Sequence, residues 1–461
     1  MIRIFRVFIP VSVIILLLSE GLITIGSFTL AAWLNTDPLV YFRERNGLLN
    51  VAVVVLTMIM GMYLHDLYSD IYVNSHILLL QQLSFVMGAA FLIQAGINYV
   101  DRDLRMPLHV MLPGSAFAVI AIYAWRVLYS SVVLKAMGSD RLLLVGNSPV
   151  LRDIADFVAR APEKGYSILG LVTDDVDEQN DRPQAKFLGR LETLREVASA
   201  TRPTRIVVGM RERRNRLPVR ELLDLRYTGF LIEEAPTNFE RLSGRVCMKE
   251  LRPSQLIYAG DFNRRGRMVF YQNATNLALG SICLLFALPL MLLTALAVRL
   301  NSPGPILYRQ RRVGMDGVPF TLYKFRSMTA DAEAKTGAVW AMKNDPRVTP
   351  VGRVIRKIRF DELPQLFNVL KGEMSIVGPR PERPEFVDSL SEQIPYYRHR
   401  HAVRPGITGW AQINYKYGDT IEDTIMKLEY DLYYIKNMSF SLDVYIMFHT
   451  LKTMLVSRGA Q

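Results

Sequence analysis

Apolar length restricts this chain more than any other property. Four long apolar stretches open it, roughly Ile9 to Leu34, Leu48 to Leu64, Ile77 to Ile97 and Leu108 to Leu134, with short polar loops between them. A helix that crosses a bilayer needs about 20 consecutive apolar residues, and each stretch supplies roughly that. Backbone groups inside lipid must find partners within their own segment, so the stretches predict a bundle of four spanning helices. No A-x-A-like cleavage site follows the first one and further apolar segments arrive at once, which argues against a removable signal peptide. Composition agrees: 50% hydrophobic against 21% charged residues is too oily for an ordinary water-soluble enzyme. Two cysteines, Cys247 and Cys283, exclude a disulfide scaffold.

Charge adds direction. The net charge of +12 suits an anionic partner: nucleic acid, a lipid headgroup surface or a phosphorylated substrate. Arg3, Arg6, Lys135 and Arg141 mark both ends of the four-helix region as cytoplasmic, while Arg43, Arg45, Arg102 and Arg105 fall in loops that would then lie outside. A fifth apolar stretch, Leu277 to Val298, is long enough to cross but carries Pro289 at its middle. Arg264, Arg265 and Arg267 precede it, and Arg299, Arg309, Arg311 and Arg312 follow. Positive charge on both flanks disfavours a crossing. A helix that enters the cytoplasmic leaflet, turns near Pro289 and returns keeps both arginine clusters on one face. The alternative is a proline-kinked fifth spanning helix, which puts the two soluble parts on opposite sides.

From Arg141 the pattern changes. Short β-rich runs at 142–146, 167–172, 205–210 and 229–234 alternate with helical stretches at 150–160, 191–200 and 219–226. That alternation predicts a parallel sheet with helices on its faces. A dinucleotide site is not expected, because Gly146-Asn147-Ser148-Pro149 has one glycine where the fingerprint needs three. The middle region reads as a Rossmann-like structural or regulatory module without cofactor, with Gly146 as a turn residue.

Arginine, glycine and proline gather in the last third. Leu322 to Met328 alternates polar and apolar like a half-buried strand, which places Lys324 and Arg326 on one side. After Asn344-Asp345-Pro346-Arg347 comes a basic helical stretch, Val351 to Ile358, and then Asp361-Glu362-Leu363-Pro364-Gln365-Leu366-Phe367-Asn368. Pro364 in a first turn and Lys371-Gly372 at the far end bracket a helix, so the acidic pair sits at a helix start. Such a pair is usually only a cap. Here Arg353, Arg356, Lys357 and Arg359 precede it and Arg380 and Arg383 follow, a density of cations that a cap does not need. Ser375 to Pro384 reads as a short buried strand entering a proline-stiffened loop, from which the planar Arg380 guanidinium suits phosphate. Arg404 to Gln412 reads as a rigid turn with two glycines beside Trp410, which packs either under the site or in the core. His399 and His401 lack the spacing of a zinc set. An acidic pair ringed by arginines beside a membrane-dipping segment suggests phosphoryl chemistry at a bilayer surface. Its carboxylates can act as covalent nucleophiles and can hold Mg²⁺.

Tyr323-Lys324-Phe325-Arg326, the 361–368 segment, Val377-Gly378-Pro379-Arg380-Pro381 and Arg404 to Trp410 together resemble the bacterial sugar transferases. These are polyprenyl-phosphate hexose-1-phosphate transferases, which initiate exopolysaccharide or O-antigen synthesis, and the chain as a whole resembles their large monotopic phosphoglycosyl transferase form. Four ordered motifs carry the match. The corresponding fold is a four-helix transmembrane bundle (1–135), a Rossmann-like α/β domain (136–262) and a mainly α monotopic catalytic domain (263–461) with a re-entrant helix at 277–298, kinked at Pro289. The resemblance implies that a sugar 1-phosphate passes from a UDP-sugar to undecaprenyl phosphate through a covalent phosphosugar on Asp361. It further implies that Asp361 and Glu362 hold Mg²⁺, that Arg356 and Arg380 bind phosphate or carboxylate groups, and that Lys324, Arg326 and Arg404 meet substrate charge. The implied partners are the UDP-sugar, undecaprenyl phosphate and membrane lipids, not nucleic acid, with a homodimer as candidate assembly. The implied location is the bacterial inner (cytoplasmic) membrane, multi-pass, with the catalytic domain on the cytoplasmic face.

Two places depart from the family pattern. Leu288 stands where a serine often precedes the proline, and Ile358-Arg359-Phe360 stands where small hydroxylated residues often precede the acidic pair. Two other readings compete. One is a non-catalytic membrane scaffold or nucleotide-sensing regulator of polysaccharide export, with the acidic pair as a cap. The other is a nucleotide-sugar dehydratase or epimerase, which the broken glycine pattern and the lack of a suitably placed Tyr-x-x-x-Lys pair oppose.

Overall fold

The computed structural model describes the chain apart from residues 1, 5–6, 36–46, 69–70, 72, 74, 101–105, 135–138, 176–184, 211–216, 252–265, 330–331, 333–344, 416–419 and 456–461. Residues 1–3 with 8–235 form one compact unit, and residues 4–7 with 236–461 form a second. The junctions read from the sequence at 135/136 and 262/263 lie outside the described residues, as do Arg6, Arg43, Arg45, Arg102, Arg105, Lys135, Arg264, Arg265 and Asn344.

The first unit opens with α1 (Val11–Asn35), α2 (Gly47–Leu64), α3 (His76–Val100) and α4 (Leu108–Leu128), the last continued by a π-helical turn, Tyr129–Val133. All four regions are long and apolar enough to cross a membrane. Leu18, Leu22, Leu56, Phe85, Leu92 and Ile120 are exposed on them, an apolar surface suited to lipid rather than water. Facing inward, small residues let the helices close up: a Cβ on Gly114 would meet the Phe28 ring at 2.6 Å. A charge pair is buried here as well. Arg126 Nε lies 2.6 Å from Glu20 Oε1, and Arg126 Nη1 donates to the Leu67 carbonyl at 2.9 Å.

The same unit continues into β1 (Asp140–Val145), α5 (Pro149–Arg160), β2 (Tyr166–Val172), β3 (Phe187–Gly189), α6 (Leu194–Thr201), β4 (Arg205–Val208), α7 (Val219–Tyr227) and β5 (Leu231–Glu234). The strands form a parallel sheet in the order β3-β2-β1-β4-β5. Leu142 to Val145 are fully buried, as a central strand covered on both faces requires. Strand β3 is not among the runs read from the sequence; three residues are too short to display a period. Gly146 turns the chain at φ +110°, where a Cβ would meet the Gly209 carbonyl oxygen at 2.1 Å.

In the second unit, α8 (Ala235–Ser243) precedes α9 (Gly266–Asn301), a single helix with Pro289 inside it and a fifth segment long and apolar enough to cross. Ala287, Met291, Thr294 and Val298 recur at helical spacing and are buried, the apolar three clustering with Phe325, Ile355 and Leu366. Leu285, Phe286, Leu292 and Leu293 are exposed. There follow an antiparallel hairpin, β6 (Leu307–Val313) and β7 (Pro319–Phe325), then α10 (Pro350–Lys357), α11 (Gln365–Leu370), β8 (Ser375–Val377) and α12 (Pro384–Gln393). The chain ends with β9 (Gly406–Thr408), α13 (Trp410–Asn414), α14 (Ile421–Asn437) and α15 (Phe440–Leu455). The segment read as a turn from Arg404 thus contains a strand, β9, parallel to β8. The two backbones approach so closely that a Cβ on Gly406 would meet the Gly378 nitrogen at 2.1 Å. Trp410 belongs to the core: it stacks on Tyr433 at 5.8 Å between centroids and donates Nε1–H to the Gly244 carbonyl at 2.7 Å.

Candidate active site

Three segments build the site. In the hairpin, Tyr308 lies opposite Lys324 and Gln310 opposite Leu322, so Tyr308, Gln310, Arg312 and Lys324 share one face. The acidic pair follows α10 in a 3-10 turn, Phe360–Glu362, entered through Arg359 at φ +60°. A non-glycine residue held there costs about 1–3 kcal/mol and persists only where its surroundings impose it. Asn368, in the helix that follows, is fully buried. Its Oδ1 accepts from the Tyr323 amide at 3.2 Å, and its Nδ2 donates to the Thr321 carbonyl and to Glu373, both at 2.7 Å. The helix that follows Asp361 and Glu362 is thereby fastened to the strand bearing Lys324. The third segment is the loop at 378–383, which presents Arg380.

The two acids occupy opposite electrostatic settings. Glu362 Oε1 accepts from Lys324 Nζ at 2.9 Å and from Arg380 Nη2 at 2.8 Å, and Arg359 lies 3.8 Å from Oε2. Burial pushes the Glu362 pKa up, but Lys324, Arg380 and Arg359 together outweigh it and hold the carboxyl well below the usual range. Asp361 is pushed up, by burial first and then by the Glu362 charge, against the pull of Lys324, Arg356 and Arg359. It is 8% exposed, and its Oδ1 is buried without a hydrogen-bond partner among the described residues. An unpartnered buried oxygen is expensive and rare. Glu362 is therefore an anion locked among cations, whereas Asp361 is a desolvated carboxylate with one oxygen unspent.

Asp361 lines a cavity of about 860 Å³. Lys324, Arg326 and Arg356 share its wall with Arg309, Arg312, Arg347 and Arg383, facing only Glu382 as a second acid among the described residues. Glu362 joins this wall through Lys324, and Arg380 through Glu362. Arg326 reaches the cavity but also uses its terminal nitrogens on the two residues that follow α9, donating to the Pro303 carbonyl at 2.8 Å and to the Ser302 carbonyl and hydroxyl at 2.7 and 2.9 Å. Arg404 is placed elsewhere, its Nη1 bonded to Asn273 of α9.

Sequence reasoning assigns no role to Asn368, Asp345 or Arg347. For Asn368 the available signal is an amide among the apolar residues of a short helix, a position that demands partners. Arg347 lines the cavity and lies 2.5 Å from Asp345, whose carboxyl that hydrogen bonding holds down at about 2.

Among the described residues no three His, Cys, Asp or Glu side chains cluster as metal ligands. Mg²⁺ does not need such a cluster, since one or two carboxylates and substrate phosphate oxygens suffice. Asp361 Oδ1 fits that chemistry as an unpartnered buried oxygen, and Glu362 can offer Oε2 because Lys324 and Arg380 both engage Oε1.

The family described as bacterial sugar transferase matches residues 267–457. The chain is 33% identical over 377 residues to the UDP-glucose:undecaprenyl-phosphate glucose-1-phosphate transferase of Escherichia coli (strain K12), covering 79% of each protein. It is 34% identical over 325 residues to the protein of that name from Klebsiella pneumoniae, covering 69% of each. To the UDP-N-acetylgalactosamine-undecaprenyl-phosphate N-acetylgalactosaminephosphotransferase of Aeromonas hydrophila it is 47% identical over 222 residues, which is 48% of this chain and about half, 52%, of that relative. The chain belongs to the bacterial sugar transferase family.

Proposed function

We propose that this chain transfers a sugar 1-phosphate from a UDP-sugar to undecaprenyl phosphate, giving undecaprenyl-diphosphate-sugar and UMP, the first membrane step of a polysaccharide assembly. The names of its relatives support the substrates. The observation that carries the mechanism is Asp361 itself, a buried carboxylate that lines a cationic cavity and whose Oδ1 has no hydrogen-bond partner among the described residues. In the first step a carboxylate oxygen of Asp361 attacks the sugar-bearing β-phosphorus, the P–O bond to UMP breaks, and UMP leaves with the bonding pair. In the second, an oxygen of undecaprenyl phosphate attacks the same phosphorus and the aspartyl oxygen departs as carboxylate. No proton has to move in either step.

Lys324, Arg356 and the other cavity cations take up the charge that gathers on the phosphoryl oxygens, which is the main means of catalysing such transfers. Glu362 keeps Lys324 and Arg380 oriented. Mg²⁺ held by Asp361 and Glu362 would neutralise diphosphate charge and orient the leaving group. Arg326 acts by fixing the end of α9 beside the cavity, and Arg404 by tying the β9 segment to α9.

In this reading the chain works in three parts. Residues 1–135 anchor it in the bacterial inner membrane, residues 136–262 form a Rossmann-like module without cofactor, and residues 263–461 act on the cytoplasmic face, with a homodimer as candidate assembly. Within the last part, residues 277–298 re-enter the membrane and bend at Pro289. Support comes from Ala287, Met291 and Val298, which lie on both sides of Pro289 and pack on the core that carries the site, leaving only the opposite side for lipid. Assaying a panel of UDP-sugars with undecaprenyl phosphate tests the activity: lipid-linked product and UMP are expected from the native chain and not from Asp361→Asn. Equal product from the two, or none from the native chain, overturns it. Labelling single cysteines at 267 and 309 tests the topology, with both expected on one side.

A further inference from the structure

Four successive carbonyls of the Arg380 loop each receive a donor. The Gly406 amide bonds Pro379 at 2.9 Å, Arg400 Nη2 bonds Arg380 at 3.0 Å, Arg312 Nη1 bonds Pro381 at 3.0 Å, and the Val313 amide bonds Glu382 at 2.9 Å. A loop stiffened by prolines is thus also pinned along its main chain. Arg312 belongs to the cavity wall, but Arg400 sits behind the loop in a 3-10 turn, Tyr397–Ala402. Its Nη2 lies 2.8 Å from Asp431 Oδ2 on α14, its Nη1 donates to the Tyr397 hydroxyl at 2.7 Å, and both ends of the ion pair are buried. A buried ion pair adds little stability over well-packed apolar residues of the same volume, so stability alone is a weak reason for one. What this pair holds is the backbone of the residue whose guanidinium grips Glu362.

We propose that Arg400 is a positioning residue: with Asp431 as counter-ion it fixes the main chain at Arg380, and through the Arg380 side chain it sets the Glu362–Lys324 cluster beside Asp361. The inference rests on the transfer reaction proposed above. Arg400 touches no reacting atom in it.

The test uses the full chain in lipid nanodiscs. Arg400→Met alone leaves Asp431 buried without its cation and risks misfolding, so the paired variant R400M/D431N removes both charges together. A misplacement of about 1 Å costs on the order of 100-fold, so kcat should fall about 10- to 100-fold with KM for the UDP-sugar within about twofold. Because both changes act through one grip, adding R400M/D431N to Arg380→Ala should cost less than about threefold more. Arg398→Ala, in an exposed pair with Asp388, should leave kcat unchanged. Hydrogen exchange in the peptide spanning 378–383 should speed up in R400M/D431N, a readout that needs no turnover. Unchanged exchange there, native kcat in the paired variant, or a fully additive loss on Arg380→Ala overturns the proposal. If the native chain makes no lipid-linked product, the transfer reading fails by itself and hydrogen exchange alone decides whether Arg400 holds the loop.

Discussion

Glu20 in the helical bundle and Asp361 in the second unit are both buried carboxylates with arginines nearby, yet their oxygens are used differently. Glu20 is ion-paired with Arg126: Oε2 accepts from Nη2 at 3.1 Å, and Oε1 lies 2.6 Å from Nε in a charge contact without hydrogen-bond geometry, whereas Asp361 Oδ1 makes no such cation contact among the described residues. Glu362 is likewise engaged by Lys324 and Arg380, but Asp361 beside it keeps Oδ1 without a partner among the described residues. In the bundle a charge is matched and holds two helices together. At the site a charge is left partly unmatched, an arrangement that weakens the fold and is kept where chemistry needs it.

The comparison predicts opposite outcomes for similar substitutions. The largest effect is expected from Asp361→Asn, which should lower lipid-linked product by about a thousandfold or more while raising the thermal midpoint, since a costly buried charge disappears. Radiolabelled product and thermal unfolding of the same preparation check both halves. Glu20→Gln should do the reverse: with Arg126 buried and uncompensated, about 3–5 kcal/mol of stability should be lost, while turnover per folded molecule is retained. A drop in turnover without a drop in stability would erase the contrast.

Smaller changes sharpen it. Asn368→Ala strands the Tyr323 amide and the Thr321 carbonyl, which should cost about 2 kcal/mol and lower kcat, because the helix after the acidic pair loosens from the Lys324 strand. The smallest effect concerns Asp443, an intermediate case with a Tyr434 hydroxyl donating to it at 2.8 Å. Burial raises its carboxyl to about 7. A carboxyl raised on folding favours the fold most where it is protonated in both states, below its ordinary value, and that contribution is lost as pH rises through about 7. Asp443→Asn should therefore flatten the fall in thermal midpoint over that window; an unchanged slope would remove Asp443 as its source.

The apolar runs and the alternation after Arg141 made the helical bundle and the parallel sheet legible, because both depend on local periodicity. The acidic pair and Lys324 were also legible, and they do come together with Arg356 and Arg380. What stayed hidden depends on contacts distant in sequence. Strand β9 exists because Gly406 and Gly378 let two backbones meet, which a reading of Arg404 to Trp410 alone cannot reveal. That Arg326 also donates to Ser302 and Pro303, just past α9, cannot be read from the alternation of residues 322–328. The contrast between Asp361 and Glu362 was hidden for the same reason, since adjacent acids look alike until the fold decides which one receives the cations.

The central claim is that a carboxylate oxygen of Asp361 becomes bonded to phosphorus during transfer. Incubating the full chain with its UDP-sugar in the absence of undecaprenyl phosphate, then mapping peptides by mass spectrometry, tests this directly. A sugar-phosphate mass on the peptide containing Asp361, released when undecaprenyl phosphate is added, is the predicted result. Full turnover with that aspartate never modified, and inversion of configuration at phosphorus, would contradict it.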